Sequence, residues 1–346
     1  DTLRPLLAIG LGWSGGVELP AGYSASFGAA PLLQGGGPSR GQAVRQLSEA
    51  VDGGGESGRK PLQRLSPGWW RRWGDTKAGA AAALVANMTR AEAGRLVQGF
   101  GWAGFSLPEG LYTGSVLGVP RLGLPGLHMQ DAAQGYRTMF DSQVGTVTAW
   151  PSLLSFAASW DASLTREFAS ALGREFRAKG ANVILGPSVN VHRVARNGRN
   201  AEYLSGEEPR LGEVLVAAYV QGVQSEKVAA VVKHSALNNP ETHRATVDVE
   251  VDERTRREVY YPPFEAAVRA GVASFMCSYN LVDGEHACGS EALSSELRDG
   301  LGFADGWMMS DWWAVHSSDA ARGGVDQNMP GNDGWFDLYR LGGASG

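Results

Sequence analysis

The chain is poor in cysteine, with only Cys277 and Cys288 in 346 residues. That excludes a disulfide-built scaffold. It lacks long apolar runs as well: stretches such as 80–86 fall far short of the roughly 20 residues that a membrane-spanning helix needs, so no membrane partner is expected. Positive charge is not in excess, since 31 basic and 36 acidic side chains give a net charge of −5. Binding to duplex nucleic acid rests on neutralising many phosphates, so no nucleic-acid partner is expected. The six histidines show no HExxH or paired Cys/His spacing. There is also no GxSxG elbow and no GxxxxGK[ST] loop, so neither a metal nor any other cofactor is expected. The chain opens on Asp1 without a basic segment leading into an apolar stretch and a cleavage site, which reads as a processed or clipped product.

What is present describes a folded, mildly acidic protein, 43% hydrophobic. Residues 1–76 carry glycine clusters at 35–37 and 53–55 and no sustained period, and are expected to form an irregular Gly-rich extension. Within it Trp69, Trp70 and Trp73 sit among Arg71, Arg72 and Lys77. They read either as a strap packed on the main domain or as a sugar-stacking patch, and the strap is the simpler reading. Cys277 and Cys288 are close enough in sequence to close a small loop, though two reduced core thiols would look the same. With the glycosylation-acceptor pattern Asn87-Met88-Thr89, a disulfide there would fit a secreted or extracytoplasmic protein.

From about residue 77 to 346 a different grammar holds. An amphipathic helix ends in a small residue or glycine and is followed at once by a short apolar strand. The segment 162–179 shows it best, with Leu164, Phe168, Leu172 and Phe176 at spacing four, Asp161 as a cap, and Gly180 as a stop before a strand at 182–185. Similar units run through 210–232 and 252–277, and 301–306 leads into a strand at 307–309; further strands are expected at 124–129 and 325–329. Strands apolar on both faces belong to parallel sheets covered by helices. Without a glycine-rich nucleotide loop, the expectation is a closed (β/α)8 TIM-type barrel rather than an open dinucleotide-binding sheet.

In such barrels the chemistry gathers where strands end, and here those ends are strongly polar. Asp131, with Arg137 beyond it, follows one strand, and Asn190, Arg193, Arg199 and Glu202 follow the next. Lys233 and His234 close another; Met276, Ser278, Tyr279 and Asn280 end a fourth; Asp311 and Trp312 follow a fifth, and Asp326 and Asn328 mark a further tip. Singly, each charge has a bland reading as an ion pair or a helix cap. Together they are hard to explain as packing, because buried charges are costly unless a shared pocket pairs or uses them. Carboxylates, guanidinium and ammonium groups and an indole suit a sugar, whose hydroxyls take charge-assisted hydrogen bonds and whose ring face packs on an aromatic plate. Trp312 is placed to be that plate. Asp311 reads as a nucleophile, kept ionised by nearby cations and oriented by Tyr279.

At these residues the sequence resembles glycoside hydrolase family 3, which holds β-glucosidases, β-xylosidases and related exo-acting enzymes. The motifs are DAAQGYR from Asp131, GPSVNVHRVARNGRNAEYLSGEEP from Gly186, KHSALNNPETHR from Lys233, DERTRREVYYPPFEAAVRAGVASFMCSYN from Asp252 and MMSDWWAVHS from Met308. The NNxETxR pattern after Lys233 and His234 looks most like the glucosidase branch. The resemblance implies that Asp311 is the catalytic nucleophile of a retaining hydrolysis of terminal non-reducing β-glucosyl residues. It implies that Asp131, Arg137, Arg199, Lys233, His234, Arg244, Met276, Tyr279 and Trp312 line the −1 sugar subsite, and that no cofactor is needed.

In two-domain members of that family the acid/base is usually a glutamate in an α/β-sandwich domain after the barrel. The sequence at hand shows no such domain before Gly346, so a second domain supplying the proton is an expected partner beside the β-glucoside or oligosaccharide substrate. Two alternatives follow: a non-catalytic sugar-binding barrel, or a single-domain β-N-acetylhexosaminidase or phosphorylase type. KHSALNNPETHR lacks the KHFPGHG motif of the latter, although His243 after Glu241 offers a substitute acid. The stretch SGEEP is also one residue longer than the family's SEDP.

Overall fold

A computed structural model describes residues 69–337 and Leu341. The expected extension 1–76 therefore lies outside the described residues except for 69–76. There a 3-10 helix, Trp69–Arg72, precedes α1, Lys77–Asn87. Trp70 and Trp73 pack against the buried cluster formed by Ala80, Ala81 and Leu84 with residues of the sheet. These two indoles are thus a strap on the main body. Arg72 fastens it by donating from Nη2 to the Leu122 carbonyl at 2.7 Å. A second helix, α2 (Arg90–Leu96), starts at Thr89 with a reciprocal cap, the Thr89 hydroxyl accepting from the Glu92 amide while the Glu92 carboxylate accepts from the Thr89 amide.

The body is a mixed α/β fold around one curled six-stranded sheet. Its strands are β1 (Gly114–Val116), β2 (Leu127–Gln130), β3 (Val183–Ile184), β4 (Ala229–Ser235), β6 (Ser274–Cys277) and β9 (Trp307–Ser310). They lie in the order β1-β2-β3-β4-β6-β9, and every pairing after the antiparallel β1-β2 is parallel. Helices α3 (Leu153–Ser159), α4 (Ala162–Ala178), α5 (Pro209–Ser225) and α7 (Pro262–Arg269) provide the crossovers and cover the outer face.

Side chains alternate along the strands, so each strand divides its residues between two cores. Met129, Val183, Ala229, Val231, Met276, Trp307 and Met309 form the inner cluster. Ile184, Ala230, Val232, Phe275, Cys277 and Met308 meet the helices in the outer one. The same parity sends Lys233, two residues beyond Val231, to the inner side.

Helix α4 begins where Asp161 caps the Leu164 amide at 3.0 Å. Its buried face is Thr165, Phe168, Ala169, Leu172, Gly173 and Phe176, whereas Leu164, expected on that face, is 44% exposed. The face shifts because α4 crosses α5 very closely. A Cβ on Gly222 would lie 2.7 Å from both the Ala169 Cβ and the Arg166 carbonyl.

Three sequence expectations need correction. The helix expected from Asp252 through Val268 is broken into α6 (Glu253–Thr255), a π-helical turn (Arg256–Tyr260) and α7, whose Pro262 and Pro263 have no N–H to continue the earlier ladder. Residues 325–329 form no strand, making only the isolated parallel bridges Met309↔Gln327 and Gln98↔Asn328. Asp326, read as a polar tip, is structural: it takes the Arg298 guanidinium at 2.5 Å and the Met308 amide at 2.7 Å.

A small second sheet was not foreseen. It joins β5 (Asp248–Val249), β7 (Leu281–Val282) and β8 (Glu285–His286) beside the sheet's carboxyl ends. Cys277, ending β6, and Cys288, just past β8, are joined by a disulfide with Cα atoms 5.2 Å apart. That bond ties the hairpin to the main sheet. The remaining helix, α8 (Glu291–Ser295), leads through a π-helical turn toward β9. Among the described residues no helix is long and apolar enough to cross a membrane.

Candidate active site

The carboxyl ends of β2, β4, β6 and β9 deliver Asp131, Lys233 with His234, Tyr279 and Asp311 with Trp312. The loop after β3 brings Arg199, at the start of a 3-10 turn, and the loop after β4 brings Arg244. Their side chains form two contact groups: Asp131 with Arg137 and Lys233, and Asp311 with Tyr279, His234, Arg199 and Arg244.

Asp311, 8% exposed, stands at its centre. Its Oδ1 accepts from the Tyr279 hydroxyl at 2.9 Å and from the Trp312 amide at 2.7 Å. Its Oδ2 faces Nε2 of His234 at 3.3 Å. Burial pushes the Asp311 carboxyl above its ordinary value, while Lys233, the Trp312 amide, Arg199 and Tyr279 pull it back. The expectation that cations hold this group low is corrected: they offset burial without overcoming it, since water is withdrawn from nearly the whole carboxylate.

His234 is pushed well below its usual value by burial first, then by Arg199, Lys233 and Arg244. The imidazole is therefore neutral, and it stands beside Asp311 without forming an ion pair. Asn190 fixes it from the backbone, accepting the His234 amide at 2.8 Å and donating to the His234 carbonyl at 3.0 Å. The strand tip after β3 thus sets the geometry of the tip of β4.

On the other flank Asp131 is gripped by Arg137 at 2.9 Å and by Lys233 at 3.3 Å. Lys233 is 4% exposed, so its ammonium depends on that carboxylate, whereas Arg137 reaches out toward solvent. Arg199 pairs with Glu202, lies 3.7 Å from Glu241, and approaches Nε2 of His234 at 3.5 Å. Arg244 pairs with Glu241 at 2.9 Å and lays its guanidinium over the Tyr279 ring, 4.3 Å from the centroid. Arg199, Glu241, Arg244 and Tyr279 so form a wall ending at Asp311.

The Met276 side chain is buried with Trp312 and Met309 in the inner apolar cluster. The indole of Trp312 is 8% exposed, and its Nε1 is buried without a partner. His243, the substitute acid of the sequence reading, is exposed at the turn before Arg244, and Glu241 beside it is taken up by two guanidiniums. Sequence reasoning missed Tyr203 and Asn238. Tyr203 reaches Nδ1 of His234 at 2.7 Å, and Asn238 Nδ2 donates to the Tyr203 hydroxyl at 3.4 Å. Both lie in the loops after β3 and β4, and their link to each other and to His234 comes from the fold rather than from any local pattern. Among the described residues no cluster of three or more His, Cys, Asp or Glu is arranged to hold a metal ion.

Residues 116–329, more than half of the chain, match the model of the glycosyl hydrolase family 3 N terminal domain. The chain belongs to glycosyl hydrolase family 3. Among family relatives, a beta-glucosidase of Bacteroides ovatus is 42% identical over 222 residues, covering 61% of this chain and 30% of that protein. Beta-glucosidase 3B of Thermotoga neapolitana, solved in complex with glycerol, superposes with a TM-score of 0.70 at 34% identity, over 76% of this chain and 39% of that one. The beta-glucosidase DesR of Streptomyces venezuelae, solved in complex with D-glucose, gives a TM-score of 0.66 at 38% identity, over 72% of this chain and 30% of that one. The chain thus spans about a third of the length of the relatives it matches.

Proposed function

We propose that this chain carries the nucleophile and the −1 sugar subsite of a retaining β-glucosidase. The observation that carries the reading is the setting of Asp311. One oxygen is tied down by Tyr279 and the Trp312 amide, and the other is turned toward His234, with Lys233 and Arg199 acting on the buried carboxyl. A carboxylate so held can attack an anomeric carbon. Oδ2 of Asp311 forms a bond to that carbon as the glycosidic C–O bond breaks, and the leaving oxygen takes a proton from a general acid. Water, losing a proton to the same group acting as base, then opens the glycosyl ester, and the Asp311 carboxylate is regenerated.

In this reading Asp131, Lys233, Arg137 and Arg199 bind sugar hydroxyls, His234 lines the same subsite beside Asp311, Arg244 and Met276 complete it, and Trp312 packs on a ring face. The short share of each relative that the chain covers supports placing the proton donor on a second domain. We further propose that the curled sheet belongs to a closed barrel. In support, the bridges of 325–329 to β9 and to residue 98, and the hydrogen bond from the Phe100 amide to the Ser115 carbonyl, run from one sheet edge to the other. The Cys277–Cys288 disulfide supports an extracytoplasmic location.

The test is Asp311→Asn assayed with an aryl glucoside bearing an activated leaving group, which lessens the need for an acid. Turnover is expected to vanish while glucose binding stays within about threefold. Wild-type turnover retained by the variant would remove Asp311 from the role.

A further inference from the structure

A buried imidazole between two partners has to choose which nitrogen carries its proton, and at His234 the partners disagree. The Asp311 carboxylate, 3.3 Å from Nε2, favours N–H there. The Arg199 guanidinium, 3.5 Å from the same nitrogen, can only donate and favours a lone pair. The other nitrogen settles the matter. Nδ1 lies 2.7 Å from the Tyr203 hydroxyl. Tyr203 is 2% exposed, and its oxygen already accepts from Asn238. Its own proton needs an acceptor inside the protein, and Nδ1 is within reach. Burial raises the Tyr203 phenol far above its ordinary value, so the hydroxyl keeps that proton.

We propose that Tyr203 is a positioning residue: by donating to Nδ1 it locks His234 as the Nε2–H tautomer, which in turn holds Oδ2 of Asp311 in line for attack. Oδ1 already takes two donors, from Tyr279 and the Trp312 amide. Oδ2 is left to be oriented by what faces it, and a neutral Nε2–H standing 3.3 Å away draws it to one side without saturating it. With the opposite tautomer an imidazole lone pair would face the carboxylate, turning Oδ2 away or favouring its protonation. Tyr203 touches no reacting atom and acts through His234 alone. The catalytic consequence rests on the glycosidase reading above; the tautomer does not.

The test is Tyr203→Phe in the full chain, which keeps the ring that packs 5.8 Å from the imidazole and removes only the oxygen. With histidine nitrogens labelled, two-bond proton–nitrogen spectra of the wild type should show His234 with Nε2 protonated and Nδ1 bare. In the variant that fixed pattern should give way to exchange between tautomers. The rate of covalent trapping by 2-deoxy-2-fluoro-glucosyl fluoride should fall about tenfold, while glucose affinity changes less than about threefold. A wild-type His234 protonated at Nδ1 would overturn the proposal even if the variant failed to fold. So would a folded variant with unchanged tautomer and unchanged trapping rate. If the wild type is not trapped at all, the glycosidase reading fails and the wild-type spectrum still decides the tautomer.

Discussion

Removing the Tyr279 hydroxyl should move the pH at which Asp311 becomes active. Tyr279→Phe deletes the donor 2.9 Å from Oδ1 but keeps the ring face on which the Arg244 guanidinium rests, so one interaction is lost in isolation. A hydrogen bond to a charged group contributes about 1.5–3 kcal/mol, and one pKa unit corresponds to about 1.4 kcal/mol, which places the full effect at about one to two units. The Trp312 amide stays on the same oxygen at 2.7 Å and takes up part of the loss, leaving about one unit. The sign follows from the buried site. Burial already raises the Asp311 carboxyl, and Tyr279 is one of the groups opposing that rise, so its loss raises the group further. Activity needs the ionised form, so the acid limb of the trapping-rate profile should shift upward by about one unit with the plateau rate changed less. An acid limb in place within about 0.3 unit, in a variant of unaltered fold, would refute the account of how this carboxylate is held.

Other perturbations have equally direct outcomes. Asp131→Ala strands the buried Lys233 ammonium and should cost about 3 kcal/mol in denaturant unfolding, whereas Arg137→Ala, at an exposed partner, should cost under about 1 kcal/mol. Replacing both cysteines by serine opens a loop of sequence separation 11 and should lower stability by about 3 kcal/mol, as measured by the same unfolding assay. His128 is held by burial at about 4 against an ordinary 6.5, so the unfolded chain binds its proton first as pH falls. Its contribution to stability should be complete above about 6.5 and decline by about 3 kcal/mol on the way down to about 4, a slope that His128→Gln should remove.

The helix and strand alternation was legible because α4 and α5 each carry a period that one buried face imposes, while β4, β6 and β9, buried on both faces, stand out as short apolar runs. The polar residues after those strands were legible for the same reason, since an apolar run that stops abruptly at Lys233 or Asp311 marks its own end. What the sequence hid depends on contacts between distant segments. Leu164 looks like a core residue until the close crossing at Gly222 turns α4. Asp326 looks like a site residue until Arg298, from the turn after α8, arrives beside it. The raised Asp311 carboxyl depends on burial by four strand ends at once, while neighbouring cations alone would suggest the opposite. Tyr203 holds His234, and Asn238 holds Tyr203, from loops with no period to announce them.

The most direct test of the central claim is to treat the protein with 2-deoxy-2-fluoro-glucosyl fluoride and map the labelled peptide by mass. Its fluoride leaving group bypasses most of the need for a general acid, so the nucleophile is judged by itself. The account expects one fluoroglucosyl adduct, on Asp311, abolished by Asp311→Asn. An adduct on another carboxylate, or none under conditions where glucose binds, would contradict it.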